Sequence, residues 1–432
     1  MAGTEAVGRA HRLRPMTGRD TGEEHRTATP LELLYDLTFV VAFGQAADQF
    51  AHLLAEGHVR SGLIAFGFGT FAICWAWINF SWFASAYDTD DWVFRLATMV
   101  QMVGVIIVAL GLPQMFRAVD EGHSVGNSVA VAGYVVMRVG MLFLWLRAAR
   151  HDPPRRRACH TYAATIGVAQ IGWLLLLFAD LSLPMFFLLA IVPFLIELGG
   201  PLLAERGKGG TPWHAHHIAE RYGLLTIITL GEGVIGTVAS LSAVLEAQGW
   251  SRDAVLVAIA GTGLTFGIWW TYFIVPAGEV LQIRREKALP WGYAHILIFG
   301  SITAVGAGLH VAAYYIGHEA HIGATATVLT VAVPVAVYML ALFAIYTYLM
   351  RAGDPFHLGL LAGTTAVLVL AVLLAWSGVP MAVCLIVLML APMVVVVGYE
   401  LLGYRHMAVA LERVVASGPG VHSDGGGAGR RQ

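Results

Sequence analysis

The sequence predicts an all-α, polytopic membrane protein, and three observations lead to this fold class. Hydrophobic residues make up 57% of the 432-residue chain, whereas charged residues make up only 12%. The mean hydropathy is +0.70, a value typical of chains built mostly of helices immersed in hydrocarbon. Runs of about 20 apolar residues, each bounded by turn signals, recur along nearly the whole chain. A soluble globule of this size would need far more charged groups at its surface.

We count twelve such runs, which gives about 12 predicted transmembrane helices. They lie near residues 31–54, 61–84, 93–113, 126–147, 159–179, 182–200, 215–242, 253–276, 290–313, 323–350, 358–376 and 380–403. The first 29 residues contain five arginines but no apolar stretch, so they do not resemble a cleaved signal peptide. The first run must therefore act as its own insertion signal.

The distribution of Lys and Arg predicts the orientation of the chain. Most basic residues fall in the N-terminal segment and in every second connection after it, and Arg60, Arg117 and Arg252 are the exceptions. Basic residues accumulate in cytoplasmic loops. We therefore expect a multi-pass protein of the bacterial cell (plasma) membrane with cytoplasmic N- and C-termini, whose first partner is the lipid bilayer.

Similar residue pairs recur in the two halves of the chain at a nearly constant offset. Glu32 and Thr38 reappear as Glu220 and Thr226, and the pair Gly111-Leu112 reappears as Gly308-Leu309. The pattern predicts two parallel six-helix repeats, because an even number of spans in each half returns the chain to the same side. The predicted organisation is a disordered cytoplasmic basic tail (1–29), a first repeat (30–204), a cytoplasmic linker (205–213), a second repeat (214–404) and a disordered cytoplasmic Gly-rich tail (405–432).

Acidic and basic residues inside two apolar runs are the strongest functional signal. The first run contains Glu32 and Asp36, and the seventh contains Glu220, Arg221 and Glu232. A charge at the centre of a bilayer costs about 2.5–3.5 kcal/mol, so such groups persist when they are paired, hydrated or used. Glu32 and Asp36 are four positions apart and share one helix face. Glu32 is equally well explained as an acid that complements the helix dipole.

Three further residues are candidates for the same site. Arg138 lies deep in the fourth run, and we expect it to pair with Asp36 or with a carboxylate of the second half. His217 and Glu220 can share a helix face, a spacing compatible with a metal ligand pair but also ordinary for the start of a helix. His295 in the ninth run is either a hydrogen-bonded core histidine or a ligand.

Glu232 lies about four turns into its run, between Gly231 and Gly233. Neighbouring glycines permit close backbone approach or local unwinding around a buried carboxylate. The counterpart of Glu232 in the first half is close to Gly44 and the neutral Gln45. Such an asymmetry suits proton or cation handling, although an interhelical hydrogen bond explains Glu232 as well.

Two residue types are more simply read as packing groups. Trp75, Trp77 and Trp82 are explained by packing in the membrane or by anchoring at its interface. Cys74, Cys159 and Cys384 are scattered, without metal spacing or a pairing pattern. We expect no structural metal and no cofactor.

Three segments resemble one protein family. Residues 29–40, Thr-Pro-Leu-Glu-Leu-Leu-Tyr-Asp-Leu-Thr-Phe-Val, resemble the signature T-P-L-E-L-F-F-D-L-V-F-V of the bacterial low temperature requirement A (LtrA) family. Residues 217–223 resemble its H-x-x-E-R-F-G segment, and residues 230–232 resemble its L-G-E. The Ser that usually follows L-G-E is Gly233 here, which removes one possible polar ligand. The resemblance extends over about residues 25–404 and implies a bacterial membrane protein linked to growth in the cold.

These observations favour a transporter-like protein that acts on an unknown small solute or ion at a site lined by acids and an arginine between the two repeats. A cation channel, or a non-transporting sensor or scaffold for cold adaptation, is the alternative. We expect no enzyme activity, because no nucleophile motif or cofactor fingerprint is present, although a membrane-embedded hydrolase or transferase using His217 and Glu220 stays open. Nothing suggests nucleic-acid binding, and the sequence does not indicate an oligomeric state.

Overall fold

The computed structural model describes residues 13–23, 26–122, 128–179, 181–206, 210–351 and 355–416. Within these ranges the chain forms helices and no strand. The helices are α1 (Pro30–Ala55), α2 (Val59–Tyr87), α3 (Trp92–Asp120), α4 (Ser128–His151), α5 (Arg156–Phe178), α6 (Leu183–Ala204), α7 (Ala215–Gln248), α8 (Arg252–Phe273), α9 (Ala277–Ile283), α10 (Ala288–Ile316), α11 (Ala324–Met350), α12 (Pro355–Trp376), α13 (Met381–Gly398) and α14 (Tyr404–Ala416).

Eleven helical segments in these ranges are long and apolar enough to cross a membrane. The twelfth long helix is α1, which has 26 residues and is therefore about 39 Å long. Its hydropathy is lowered by the acids Glu32, Asp36 and Asp48. The prediction of an all-α membrane protein with about twelve spans is confirmed, and the relation between the two halves stays a prediction.

Four helices form the centre of the bundle, two from each half of the chain. The helices α1 and α2 pack against α7 and α10, and α10 also packs along α11. Aromatic rings fill the space between them. The indole of Trp77 on α2 makes edge contacts with Tyr222 of α7 and Phe299 of α10, at centroid distances of 5.0 and 5.8 Å. The two halves therefore share one core.

The segment that precedes α1 lies across the end of the bundle. Met16 is fully buried, and the main-chain N–H of Arg19 donates to the carbonyl of Ala86 at 3.1 Å. The guanidinium of Arg26 donates to the carbonyl oxygens of Ala84, at 2.6 Å, and Ser85. These carbonyls belong to the last turn of α2, where a cation also complements the helix dipole. These contacts fix part of a segment that the sequence predicts to be disordered, and residues 1–12, 24 and 25 of that segment lie outside the described part of the chain.

Part of the C-terminal segment is also helical. Within the predicted tail of residues 405–432, α14 continues to Ala416 and buries Met407, Ala410 and Val414 against the bundle. Apolar residues three or four positions apart form one helix face, so this segment can bury an apolar stripe although it is too polar to span a membrane. Residues 417–432 lie outside the described part of the chain.

Candidate functional site

The first acid of the site is held by the start of α1. Thr29 is the N-cap, and Pro30 occupies the first helical position, where its missing N–H costs nothing. The Thr29 side chain accepts a hydrogen bond from the Glu32 N–H at 3.3 Å, and the Glu32 carboxylate accepts one from the Thr29 N–H at 2.8 Å. This capping box fixes the carboxylate in space.

Glu32 also reaches across to the second half of the chain. Its carboxylate lies 3.3 Å from Nε2 of His217 on α7. Both side chains are fully buried. Glu32 therefore caps its own helix and contacts α7. It is both an acid at the start of a helix and a member of a buried ionic cluster, as each of the two interpretations of the sequence proposed.

Asp36 forms the central ion pair of the site. One turn farther along α1, its Oδ1 accepts a hydrogen bond from Nη2 of Arg221 at 2.5 Å and another from the indole Nε1 of Trp77 at 2.7 Å. Nη2 of Arg221 also donates to Oγ of Ser81 at 3.3 Å. Asp36 and Arg221 are 1% and 0% exposed. Groups from α1, α2 and α7 thus converge on one carboxylate oxygen.

Several polar atoms of this cluster keep unused hydrogen-bonding capacity. No hydrogen-bond partner in the described part of the protein reaches five of them: Oε1 of Glu32, Oδ2 of Asp36, Nδ1 of His217, and Nε and Nη1 of Arg221. Nη1 of Arg221 lies 3.9 Å from Oε1 of Glu32, too far for a hydrogen bond. Buried polar atoms are nearly always paired with protein or water. These five atoms are therefore able to bind a proton, a water molecule or a small ion.

Glu232 lies at the middle of α7, eleven positions beyond Arg221 and about 16 Å farther along the axis. It is 3% exposed, and no described residue forms a hydrogen bond or ion pair with it. A Cβ at Gly44 of α1 would lie 3.2 Å from its Oε1, and a Cβ at Gly306 of α10 would lie 2.6 Å from its main chain. The carboxylate therefore faces α1 at a glycine.

Of the two possibilities that the glycines beside Glu232 allow, local unwinding does not occur, because α7 is continuous from Ala215 to Gln248. The other possibility, close approach, is observed, and glycines on the neighbouring helices contribute to it as well. Gly231 has no neighbour where a side chain would be, whereas a Cβ at Gly233 would lie 2.6 Å from Oγ1 of Thr265. The glycines around Glu232 serve helix packing rather than a break in the helix.

The other candidates are less central. Glu220 is partly buried and accepts a hydrogen bond from the Ala28 N–H at 3.4 Å, so it lies at the mouth of the site rather than in it. His295 is buried, with Nε2 3.0 Å from the Tyr272 hydroxyl and Nδ1 2.8 Å from the Trp291 carbonyl. Such a histidine is a hydrogen-bonded core residue. Among the described residues, no three His, Cys, Asp or Glu side chains are grouped as a metal site would require.

Arg138 does not belong to this site, and the prediction that it pairs with Asp36 or with an acid of the second half is wrong. Its Nη2 lies 2.5 Å from Oε2 of Glu197 on α6. The same oxygen accepts a hydrogen bond from the indole of Trp75 at 2.5 Å. Glu197 lies inside an apolar run of the first half, so the depth argument that selected Asp36 would also have found it.

The fold and the buried charges define a multi-pass helical membrane protein with an ionic site at the contact between its two halves. The chain belongs to the bacterial low temperature requirement A (LtrA) family, whose characteristic sequence pattern matches residues 27–392. It is also similar to an uncharacterised protein of Rhizobium meliloti, with 26% identity over 331 residues that cover 72% of this chain and 75% of the relative. No solved structure matches it. The family membership expected from the motifs is confirmed.

Proposed function

We propose that the protein is a transporter that moves protons or a small cation along the acidic groups between α1 and α7. The observation that supports this most strongly is the charge balance of the buried cluster. Two carboxylates, Glu32 and Asp36, face one guanidinium, Arg221, with the imidazole of His217 beside them. If both acids are ionised and His217 is neutral, these four groups together carry one net negative charge. A proton or a bound cation would neutralise it, and burial makes such neutralisation favourable.

The arrangement of polar residues along α1 supports the same proposal. Glu32, Asp36, Gly44 and Asp48 lie on one ridge of the helix, at multiples of four residues. The first two contact His217 and Arg221, Gly44 faces Glu232, and Asp48 is exposed near the far end. A proton or a small cation could therefore move from one of these polar positions to the next along the contact of α1 with α7.

Close packing between these polar positions favours a transporter over an open cation channel. Val40 occupies the ridge between Asp36 and Gly44, and α10 packs on the main chain of α7 at Glu232, where Gly306 leaves no space for a side chain. Passage would require the helices to move, as in alternating access. We further propose that the protein lies in the bacterial plasma membrane and supports growth at low temperature, as its family name suggests.

Flux into proteoliposomes tests the proposal. The purified full-length protein is reconstituted with an internal pH dye, and a panel of cation gradients is applied with and without a pH gradient. We expect the parent to move protons or one of the cations. Glu232→Gln should abolish the flux while leaving the fold intact, because the amide keeps the shape of the side chain but holds no exchangeable charge. Glu246→Gln, an exposed position on the same helix, is the matched control.

Three outcomes separate the candidate functions. Flux that is lost in Glu232→Gln and kept in Glu246→Gln supports the transporter. Flux that persists unchanged in Glu232→Gln makes this residue structural and removes proton handling from the proposal. A parent that moves none of the cations and no protons favours the non-transporting sensor or scaffold.

A further inference from the structure

A basic cleft that shares no lining residue with the acidic site is formed where α14 packs against the end of α11 and the start of α12. The cleft has a volume of about 510 Å³. Its polar lining is formed by three arginines and two histidines: Arg351, Arg405, Arg413, His357 and His406. No acidic side chain of the described residues lines it. The three arginines bring positive charge to the described lining of the cleft, which suits an anion.

An apolar pocket opens beside the basic cleft. The two share the side chains of Tyr346 and His357. Away from this shared wall the pocket is lined mainly by apolar residues of α11, α12 and α13, among them Leu342, Phe343, Leu360 and Val395. The pocket has a volume of only about 40 Å³, so it adds an apolar wall to the cleft rather than a space for a whole hydrocarbon chain. A ligand that contacts both would thus need an anionic end and a hydrocarbon end.

The backbone creates this arrangement at a π-helical turn. Residues Tyr399–Gly403 form the π turn between α13 and α14, and both terminal residues of that turn line the apolar pocket. Wide turns of this kind are frequent at functional sites. The turn leads directly into α14, which presents Arg405 and Arg413 to the cleft while Met407 is buried. An amphipathic helix with basic residues on its polar face is typical of the membrane interface.

We propose that this cleft binds the phosphate headgroup of an anionic phospholipid, whose hydrocarbon lies against the apolar wall beside it. Arginine is the side chain best suited to phosphate, since its planar guanidinium can donate two parallel hydrogen bonds. The cleft lies where the membrane-spanning helices α11 and α12 meet, the level at which headgroups are found. Binding there would couple the position of α14 to the charge of the surrounding leaflet.

Native mass spectrometry of the full-length protein tests the proposal. The protein is released from detergent after equilibration with dioleoyl phosphatidylglycerol or with dioleoyl phosphatidylcholine, and the retained lipids are counted. The test variant combines Arg351→Gln, Arg405→Gln and Arg413→Gln. The control combines Arg60→Gln, Arg117→Gln and Arg252→Gln, three exposed arginines outside the cleft. Thermal unfolding of both variants reports whether the fold is kept.

We expect the parent and the control to retain phosphatidylglycerol and the test variant to lose it. A basic residue near an anionic surface contributes about fivefold in affinity, so three should contribute about a hundredfold. Equal retention of phosphatidylglycerol by the test variant and the parent would overturn the proposal. If the triple variant does not fold, Arg413→Gln alone should still weaken retention by about fivefold.

Competition distinguishes a lipid from a free phosphate. Inorganic phosphate and glycerol phosphate lack the hydrocarbon chain, so they should displace the retained lipid only weakly. If inorganic phosphate displaces it as effectively as added phosphatidylglycerol does, the cleft is a phosphate site and the lipid assignment is wrong. Equal retention of phosphatidylcholine and phosphatidylglycerol would contradict recognition of the negative headgroup.

Discussion

Two of the strongly buried carboxylates, Asp36 and Glu197, accept hydrogen bonds from several donors instead of forming a lone ion pair. Asp36 is shared by Arg221 and Trp77, and Glu197 by Arg138 and Trp75. A buried anion needs this number of donors, because a single pair rarely repays the desolvation of both partners. The indole N–H of tryptophan is well suited to donate to a buried carboxylate, since the rest of the ring is apolar and packs in the core.

Asp91, just outside the membrane-spanning part of α3, shows the same principle at a group whose titration can be followed. Burial opposes the ionisation of Asp91, but hydrogen bonds from the Arg147 guanidinium and the Phe94 N–H outweigh it and lower its pKa from 3.8 to about 2. Because the pKa falls on folding, the ionised carboxylate stabilises the protein above pH 4, and this contribution is lost between about pH 4 and pH 2.

Asp91→Asn should therefore destabilise the protein by about 2 kcal/mol at pH 7. Asparagine still caps α3, so the loss reports the charge. Unfolding in detergent, measured from pH 7 down to pH 2, should show the parent and the variant converging in acid. Asp90→Asn is the control, because its pair with Arg95 is exposed on both sides and contributes little. A constant difference between the parent and Asp91→Asn at all pH values would contradict the role of the charge.

At the scale of elements, α2 separates two buried ionic clusters. Trp75 and Trp77 are two positions apart and therefore point to nearly opposite sides of the helix. Trp75 reaches Glu197 of α6, and Trp77 reaches Asp36 of α1. One helix thus organises the contact between the halves on one side and the interior of the first half on the other. A rotation of α2 would change both clusters together.

The ion pair of Arg138 and Glu197 should stabilise the packing of α4 against α6. Arg138→Gln or Glu197→Gln alone should cost about 3–5 kcal/mol, because the remaining charge is buried without its partner. The double variant should be less destabilised than the sum of the two single ones. Unfolding in detergent measures all three variants. Strictly additive effects would contradict direct pairing, and loss of flux without loss of stability would place Glu197 in the transport path.

The sequence predicted the helices well and their partners less well. Apolar runs and the capped start Thr29-Pro30 are local signals, so span number and the beginning of α1 could be predicted. Pairing across the bundle is not local. Nothing near Arg138 in the chain indicates that its partner is Glu197, 59 positions away, and nothing near Trp77 indicates that its indole donates to Asp36. The packing interpretation of Trp75 and Trp77 was therefore incomplete.

For the whole molecule, equivalent glycines perform equivalent tasks in the two halves. A Cβ at Gly111 of α3 would lie 2.4 Å from the main-chain N of Ala130 on α4, and a Cβ at Gly308 of α10 would lie 2.4 Å from the carbonyl oxygen of Thr330 on α11. In each half, the third long helix thus approaches the fourth at a glycine that the repeat predicts. This agreement supports the two-repeat interpretation, which a rotation of one half onto the other would test directly.

The membrane orientation gives a prediction for the whole chain. If the termini are cytoplasmic, the connections after α7 and after α10 lie outside and the one after α6 lies inside. The native cysteines are all buried, so they should give little background. A membrane-impermeant maleimide applied to whole cells should therefore label Trp250→Cys and His318→Cys, but not Arg206→Cys. After the cells are broken, all three should react. Labelling of Arg206→Cys in intact cells would invert the topology, and labelling of only one of the two outer positions would contradict the number of spans between them.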